Sequence, residues 1–343
     1  MKTIIYTIIM AIVFSGCAQK TIVKAVKAPK VDDKSIQNIS VLKFQNDTIG
    51  QSQQISSAMA NVKFDKKKYF TLIDRANIDK ILKEKELNDS GLVVLKDDKP
   101  TDGLSEVKTL LTGKVNNIDM STSSFYEERT NYNNCIEYKY TKHNKKYCAT
   151  YQKYSVLCRT NSYNLNTSIK IIKVSNSKIL FAKTYQASSK YTHCTDDNHI
   201  LPTKQNQGVV LAHDIAQQIV YDIAPSYQFF KVRLLKNPDI YYSMQEKSTL
   251  KLALELIDKK KYKYANKLLK KLNKSLKYKS YVGLYDLGLS YEILGNLNKA
   301  LQYYKQADDI AIMEQNKSID DITLAIKRVK QNQLELNQIH KLK

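Results

Sequence analysis

The chain has 343 residues, 43% of them apolar, with only 9 Gly and 5 Pro. That is enough apolar material for two packed domains and too much for a disordered chain, and the few turn residues disfavour collagen-like, low-complexity and turn-dense all-β folds. The formal net charge is +22, yet only five of the 55 basic residues are Arg, the fork that nucleic-acid readers use. No nucleic-acid partner is therefore expected, and the composition excludes a polytopic membrane protein.

Lys2 precedes an apolar stretch over residues 4–14, followed by Ser15-Gly16-Cys17. Eleven residues rise about 16 Å as a helix, too short for a bilayer and suited to a signal-peptide core. Small residues ahead of a cysteine resemble a bacterial lipobox, so cleavage is expected before Cys17, which becomes the lipidated N-terminus. The alternative is an ordinary secretory signal with a chance cysteine. Acyl chains anchor at about 0.8 kcal/mol per buried methylene. Ala18 follows Cys17 where an Asp would argue against sorting to the outer membrane. Residues 1–16 then form the signal peptide and 17–37 a polar, Lys-rich lipidated tether, with the rest facing the periplasm.

Residues 39–44 alternate as a strand, and Ile55, Met59 and Val62 mark a helical face at 3–4 spacing. Residues 69–73 read as a second strand. A helix follows with Ile78, Ile81 and Leu82 on one face and Asp74 or Asn77 to cap it, then a short helical turn over 104–107. Residues 109–115 give a third strand. Leu165, Thr167, Ile169 and Ile171 alternate with polar residues, as do Ile179, Phe181 and Tyr185 after Ser175-Asn176-Ser177, which predicts a hairpin of strands 165–174 and 179–188. A helix over 208–223 carries Leu211, Ile215, Ile219 and Ile223 and stops before Pro225. Strands alternating with helices predict an α/β (α+β) domain over 38–235, one sheet with packed helices.

Four cysteines remain after Cys17: Cys135, Cys148, Cys158 and Cys194. In an exported chain an even number suggests two disulfides, with three connectivities. A hairpin turn centred on Asn176 makes paired positions sum to 352, which sets Ile171 opposite Phe181, Thr167 opposite Tyr185 and Cys158 opposite Cys194. Cys158–Cys194 and, by subtraction, Cys135–Cys148 are expected. His193, Cys194, Asp196, Asp197 and His199 lie close enough in sequence to suggest a metal set. No second Cys or His cluster at zinc-finger spacing accompanies them, and a disulfide at Cys194 removes a ligand, so no metal and no cofactor are expected. His143, His213 and His340 are isolated. There is no phosphate-cradling Gly loop, no Gly-x-Ser-x-Gly and no His-Glu-x-x-His, so no catalytic residues and no enzyme are expected.

Over residues 245–315, Leu284, Leu287, Gly288, Tyr291, Gly295, Ala300, Tyr304 and Ala307 resemble a tetratricopeptide repeat in their spacing. A second copy lies 35 residues earlier, where Ala253, Leu256, Lys260, Ala265, Leu269 and Leu272 align with Gly288, Tyr291, Gly295, Ala300, Tyr304 and Ala307. Residues 318–343 read as a capping helix. The resemblance implies partner docking on a concave face through Tyr285, Leu289 and Glu292. Residues 251–279 hold eleven Lys against Glu255 and Asp258, a run most simply read as a solvated helix face.

The strand Ile39-Ser-Val-Leu-Lys-Phe44, then Tyr69-Phe-Thr-Leu-Ile-Asp-Arg75, Ile78-Asp-Lys-Ile-Leu-Lys-Glu84 and Ser90-Gly91-Leu92 resemble the CsgG-like family, the curli production assembly/transport lipoproteins. The strand ending Leu111-Thr112-Gly113, the 165–188 hairpin and the helix ending Ala224-Pro225 keep the same order. In that family's secretion channel two segments refold into a transmembrane barrel, and they correspond here to about 121–163 and 189–206. The second has eighteen residues and contains His193, Asp196, Asp197 and Pro202, whereas two barrel strands need about 9–11 residues each. The first is interrupted by Lys139, Lys142, Lys145 and Lys146. The resemblance implies an outer-membrane lipoprotein on the periplasmic face that scaffolds secretion or assembly of a surface structure, with self-association and a protein partner. The rival is a lipoprotein that activates a cell-wall synthase or flagellar component without forming a channel.

Overall fold

A computed structural model describes residues 19–73, 107–116 and 118–342. Cys17, the predicted helix carrying Ile78, Ile81 and Leu82, and the predicted turn beginning at Leu104 lie outside the described residues. Two compact units result. Pro29–Pro225 with Leu342 makes an α/β unit, and residues up to Ala28 join Ser226–Lys341 in a mainly helical one.

In the helical unit, β1 (Lys20–Lys27) pairs antiparallel with β10 (Ser226–Arg233), Lys20 opposite Arg233 and Lys27 opposite Ser226. The sequence reading made 17–37 a tether and carried the α/β domain to 235; both assignments change. Val23 and Ala25 are buried on one face of β1, while Lys20, Ile22 and Lys24 project from the other and are exposed. The Val26 and Ala28 amides donate to Asn332 Oδ1 at 3.0 Å and Glu335 Oε2 at 2.6 Å.

Five α-helices follow in that unit: α3 (Met244–Asp258), α4 (Tyr262–Ser275), α5 (Tyr281–Ile293), α6 (Leu297–Asp309) and α7 (Asp320–Lys341). Ser243 and Glu246 form a capping box at the start of α3. The 35-residue echo in the sequence recurs in the backbone. Lys260 and Gly295 are both left-handed, at φ 57° and 80°. Their amides donate to Ile257 O and Glu292 O, and the following amides of Lys261 and Asn296 reach back to Leu256 O and Tyr291 O, closing both helices the same way. Ala253, Ala265, Leu269 and Leu272 are buried like their counterparts Gly288, Ala300, Tyr304 and Ala307. All eleven lysines of 251–279 are exposed.

In the α/β unit, β2 (Asn38–Val41) runs parallel between β5 (Thr71–Leu72) and β6 (Thr109–Val115). A minor hairpin, β3 (Lys63–Phe64) and β4 (Lys67–Lys68), forms a separate two-stranded sheet. β6 and then β7 (Asp119–Tyr140) pair antiparallel with one edge of β8 (Lys146–Lys173), while β9 (Ile179–Cys194) pairs with the other. The β8–β9 register sets Ile171 opposite Phe181, Thr167 opposite Tyr185 and Cys158 opposite Cys194.

Tyr163, Leu165, Thr167, Ile169 and Ile171 of β8 bury one face of the sheet. α1 (Gln51–Ala60) supplies Ile55 and Met59 to this core, and α2 (Lys204–Ile223) supplies Leu211, Ile215, Ile219 and Ile223. Each such side chain contributes roughly 1.5–3 kcal/mol on burial. Buried Gln51 ties the layers together: its Nε2 donates to Ala212 O at 2.8 Å, and its Oε1 accepts from the Thr167 hydroxyl at 3.1 Å. Among the described residues no helix is long and apolar enough to cross a membrane.

Candidate functional site

The β7–β8 hairpin outgrows its sheet. β9 ends at Cys194, opposite Cys158, so from about Tyr126 and Leu157 outward β7 and β8 continue as a two-stranded ribbon. At about 3.4 Å per residue, the remaining residues to the turn near His143 span on the order of 50 Å. Ribbon residues are largely exposed, Tyr126 at 74% and Tyr132 at 75%, with Ile136, Tyr138, Tyr140, Tyr147 and Tyr154 also open.

Local contacts stiffen this ribbon. Near its tip the register shifts between Asn131 and Tyr138, and the Cys135–Cys148 disulfide crosses the irregular stretch. The Tyr132 and Tyr151 rings meet edge to face at 5.2 Å, and Lys146 Nζ lies 3.8 Å from the Tyr138 ring centroid. The second segment that the family resemblance maps to a barrel, 189–206, forms no hairpin: it is the end of β9, a turn, and the start of α2.

At the ribbon's base sits a polar clamp. The Cys158–Cys194 disulfide and Val156 form a small buried cluster. The chain after Cys194 folds back so that Arg129 Nη1 donates to Asp196 Oδ1 at 2.6 Å and Asp197 Oδ1 at 3.2 Å, and Arg129 Nε to Glu127 Oε1 at 3.2 Å. The Tyr154 hydroxyl donates to Asp196 Oδ2 at 2.9 Å, and the Cys194 amide to Asp197 Oδ2 at 2.7 Å. The Cys194 amide, and after it Arg129 acting against partial burial, hold the Asp197 carboxyl below its ordinary range. The Asp196 carboxylate raises the Tyr154 phenol. Sequence reasoning missed Arg129 and Glu127. The available signal was the scarcity of Arg, since a chain that uses Lys nearly everywhere keeps an Arg where one planar fork must hold several carboxylates.

The predicted cysteine pairs are both present, Cys158 with Cys194 and Cys135 with Cys148. The predicted docking residues require a correction. Tyr285, Leu289 and Glu292 lie in the interior of the helical unit, none more than 2% exposed. The Tyr285 hydroxyl donates to Arg233 O at 2.9 Å, and Glu292 is held by Arg328 of α7. The physical reason is that β10 and α7 cover the surface that an open repeat array would present. Of the residues that the sequence sets close together around Cys194, the cysteine is taken by the disulfide, while His193 and His199 come together edge to face with centroids 5.1 Å apart.

A family model described as curli production assembly/transport component CsgG matches residues 16–128, about a third of the chain. No curated protein matches. Among solved structures the chain is similar to the PelC dodecamer from Paraburkholderia phytofirmans, at 11% identity over 58% of this chain and 96% of that one, with a TM-score of 0.21. A single-residue variant of the PelC dodecamer from the same organism is similar at 10% identity over 60% and 97%, with a TM-score of 0.23.

Proposed function

We propose that this chain is a lipid-anchored component of the outer membrane, facing the periplasm, that scaffolds secretion or assembly of a surface structure through protein–protein contacts and has no enzymatic role. The observation that carries the reading is the β7–β8 ribbon, whose row of exposed tyrosines has the composition of an interface core. Lys139, Lys142, Lys145, Lys146 and Lys153 interrupt that row, which argues for protein contact over immersion in hydrocarbon. The family match over residues 16–128 supports the secretion context. The shared closure at Lys260 and Gly295 supports a tetratricopeptide-like reading of the helical hairpins, with any partner meeting a surface other than Tyr285, Leu289 and Glu292.

The ribbon is the contact between copies. The test is the molar mass and negative-stain shape of the lipidated mature protein in mild detergent, beside a Tyr126→Ser/Tyr132→Ser variant. A closed multimer that falls to monomer in the variant, with an unchanged melting temperature, is expected. A wild-type monomer overturns self-assembly through the ribbon. It favours instead a tethered activator of a wall synthase or flagellar component, a reading that draws support from the absence of a second hairpin at 189–206.

A further inference from the structure

We propose that His193, Asp197 and His199 bind a borderline divalent transition-metal ion, Zn2+ in the first instance. Each residue brings a ligand atom into a group whose members all lie within 4.8 Å of one another. Ligand atoms of an ideal tetrahedral zinc shell lie roughly 3.4 Å apart, so small side-chain rotations close the set.

Three observations point to a cation. His193 Nδ1 is buried and has no hydrogen-bond partner. A bare ring nitrogen away from water is costly unless something meets it, and a metal ion is the partner that a neighbouring imidazole and carboxylate supply together. His199 Nε2 lies 3.0 Å from Thr192 O. A carbonyl oxygen only accepts, so Nε2 carries the proton and Nδ1 of the neutral ring is left with its lone pair; metal-bound histidines are commonly oriented by such a bond. Asp197 is similarly fixed by the Cys194 amide at 2.7 Å, which leaves lone pairs for an ion. The charge also leaves room for a cation: Glu127, Asp196 and Asp197 pair with Arg129, and Arg159 lies across from His193 on β8, so three carboxylates face two guanidiniums.

Two imidazoles and one carboxylate are a set that zinc accepts, with a fourth place left for water or a ligand from another molecule. The ion would pin the turn after β9 beside the Cys158–Cys194 disulfide. The inference is independent of the proposed secretion role.

The experiment uses the untagged, oxidised, mature chain stripped with a chelator, titrated with Zn2+ against a chromophoric competitor, and then dialysed for metal content. One equivalent per chain is expected. His193→Gln and His199→Gln each weaken binding about 100-fold or more, whereas His143→Gln and His340→Gln retain the full equivalent. Asp197→Asn, which keeps an acceptor for the Cys194 amide, weakens binding without loss of the disulfides. Near-ultraviolet circular dichroism identifies any variant that fails to fold, and the remaining variants then decide. No uptake by the wild type overturns the site, as does undiminished uptake by the folded His193 and His199 variants.

Discussion

Arg328 grips Glu292 with two bonds of 2.7 Å each, Nε to Oε1 and Nη2 to Oε2, inside the helical unit. Tyr304 donates a third to Oε2, also at 2.7 Å. A pair this deeply buried is sensitive to the loss of one member, because the other charge is then stranded. Glu292→Leu is expected to destabilise the helical unit by about 3–5 kcal/mol. Glu292→Leu with Arg328→Met should recover most of that in urea unfolding. A double variant no more stable than the single one would show that packing, and not the stranded charge, sets the cost.

The α/β unit should lose stability in acid. Burial pushes the Asp222 carboxyl up, but hydrogen bonds from Lys183 at 2.7 Å and Lys30, and from the Tyr185 hydroxyl at 2.9 Å, outweigh it and hold the group below its ordinary range. Burial likewise opposes Ser35 and Lys173 at Asp33, which ends at about 2. Both folded values lie below the unfolded value of about 3.9, so this stabilisation is present above pH 4 and is lost as pH falls through the folded values. Asp222→Asn should cost about 2–3 kcal/mol at pH 7 and flatten the acid limb of a stability–pH curve.

Gly113 has no room for a side chain. A Cβ there would stand 2.5 Å from Ser168 O and 2.7 Å from Phe44 Cε2, so both a sheet neighbour and a core ring would have to move. Gly113→Ala is expected to cost about 1–3 kcal/mol. Adding Phe44→Leu relieves the ring but not the carbonyl, so thermal denaturation of the double variant should still fall short of Phe44→Leu alone.

Non-reducing thiol titration of the mature chain should find none of Cys135, Cys148, Cys158 and Cys194 free. The two bridges close separations of 36 and 13 residues. In the chain-entropy model these correspond to about 4 and about 3 kcal/mol, so Cys158→Ala/Cys194→Ala should lower stability more than Cys135→Ala/Cys148→Ala.

The register of β8 and β9 was legible because strict alternation through Leu165, Thr167, Ile169 and Ile171, met by a short polar turn, leaves one pairing that keeps the apolar face together. The same rule placed Cys158 across from Cys194. It has no purchase on β7, where neither face carries an unbroken apolar set and Met120 and Ile136 stand apart among polar and aromatic residues, and so the ribbon's extent and its irregular register were hidden. β1 was misread because apolar residues fall on both of its faces, with Ile22 exposed beside Lys20 and Lys24, so the short segment shows no clean alternation around buried Val23 and Ala25. Tyr285, Leu289 and Glu292 fit a repeat's inner face locally, but whether that face stays open depends on where Arg328 lands, which no local pattern states. Arg129, Asp196 and Asp197 meet through a reversal after β9, so sequence spacing between 129 and 196 carried no warning.

Pairing of Lys27 with Ser226 makes the α/β unit an insertion within the helical one, leaving and returning between neighbouring positions on a single ribbon. β1 is made first yet its partner strand emerges only some two hundred residues later, a closure of high sequence separation that cannot happen until most of the chain is available. The arrangement also offers a clean excision. Joining Lys27 to Ser226 through an Asn-Gly turn would convert β1 and β10 into a simple hairpin and release the helical unit as a single continuous chain, while cutting the chain after Pro225 would orphan β1 on both sides.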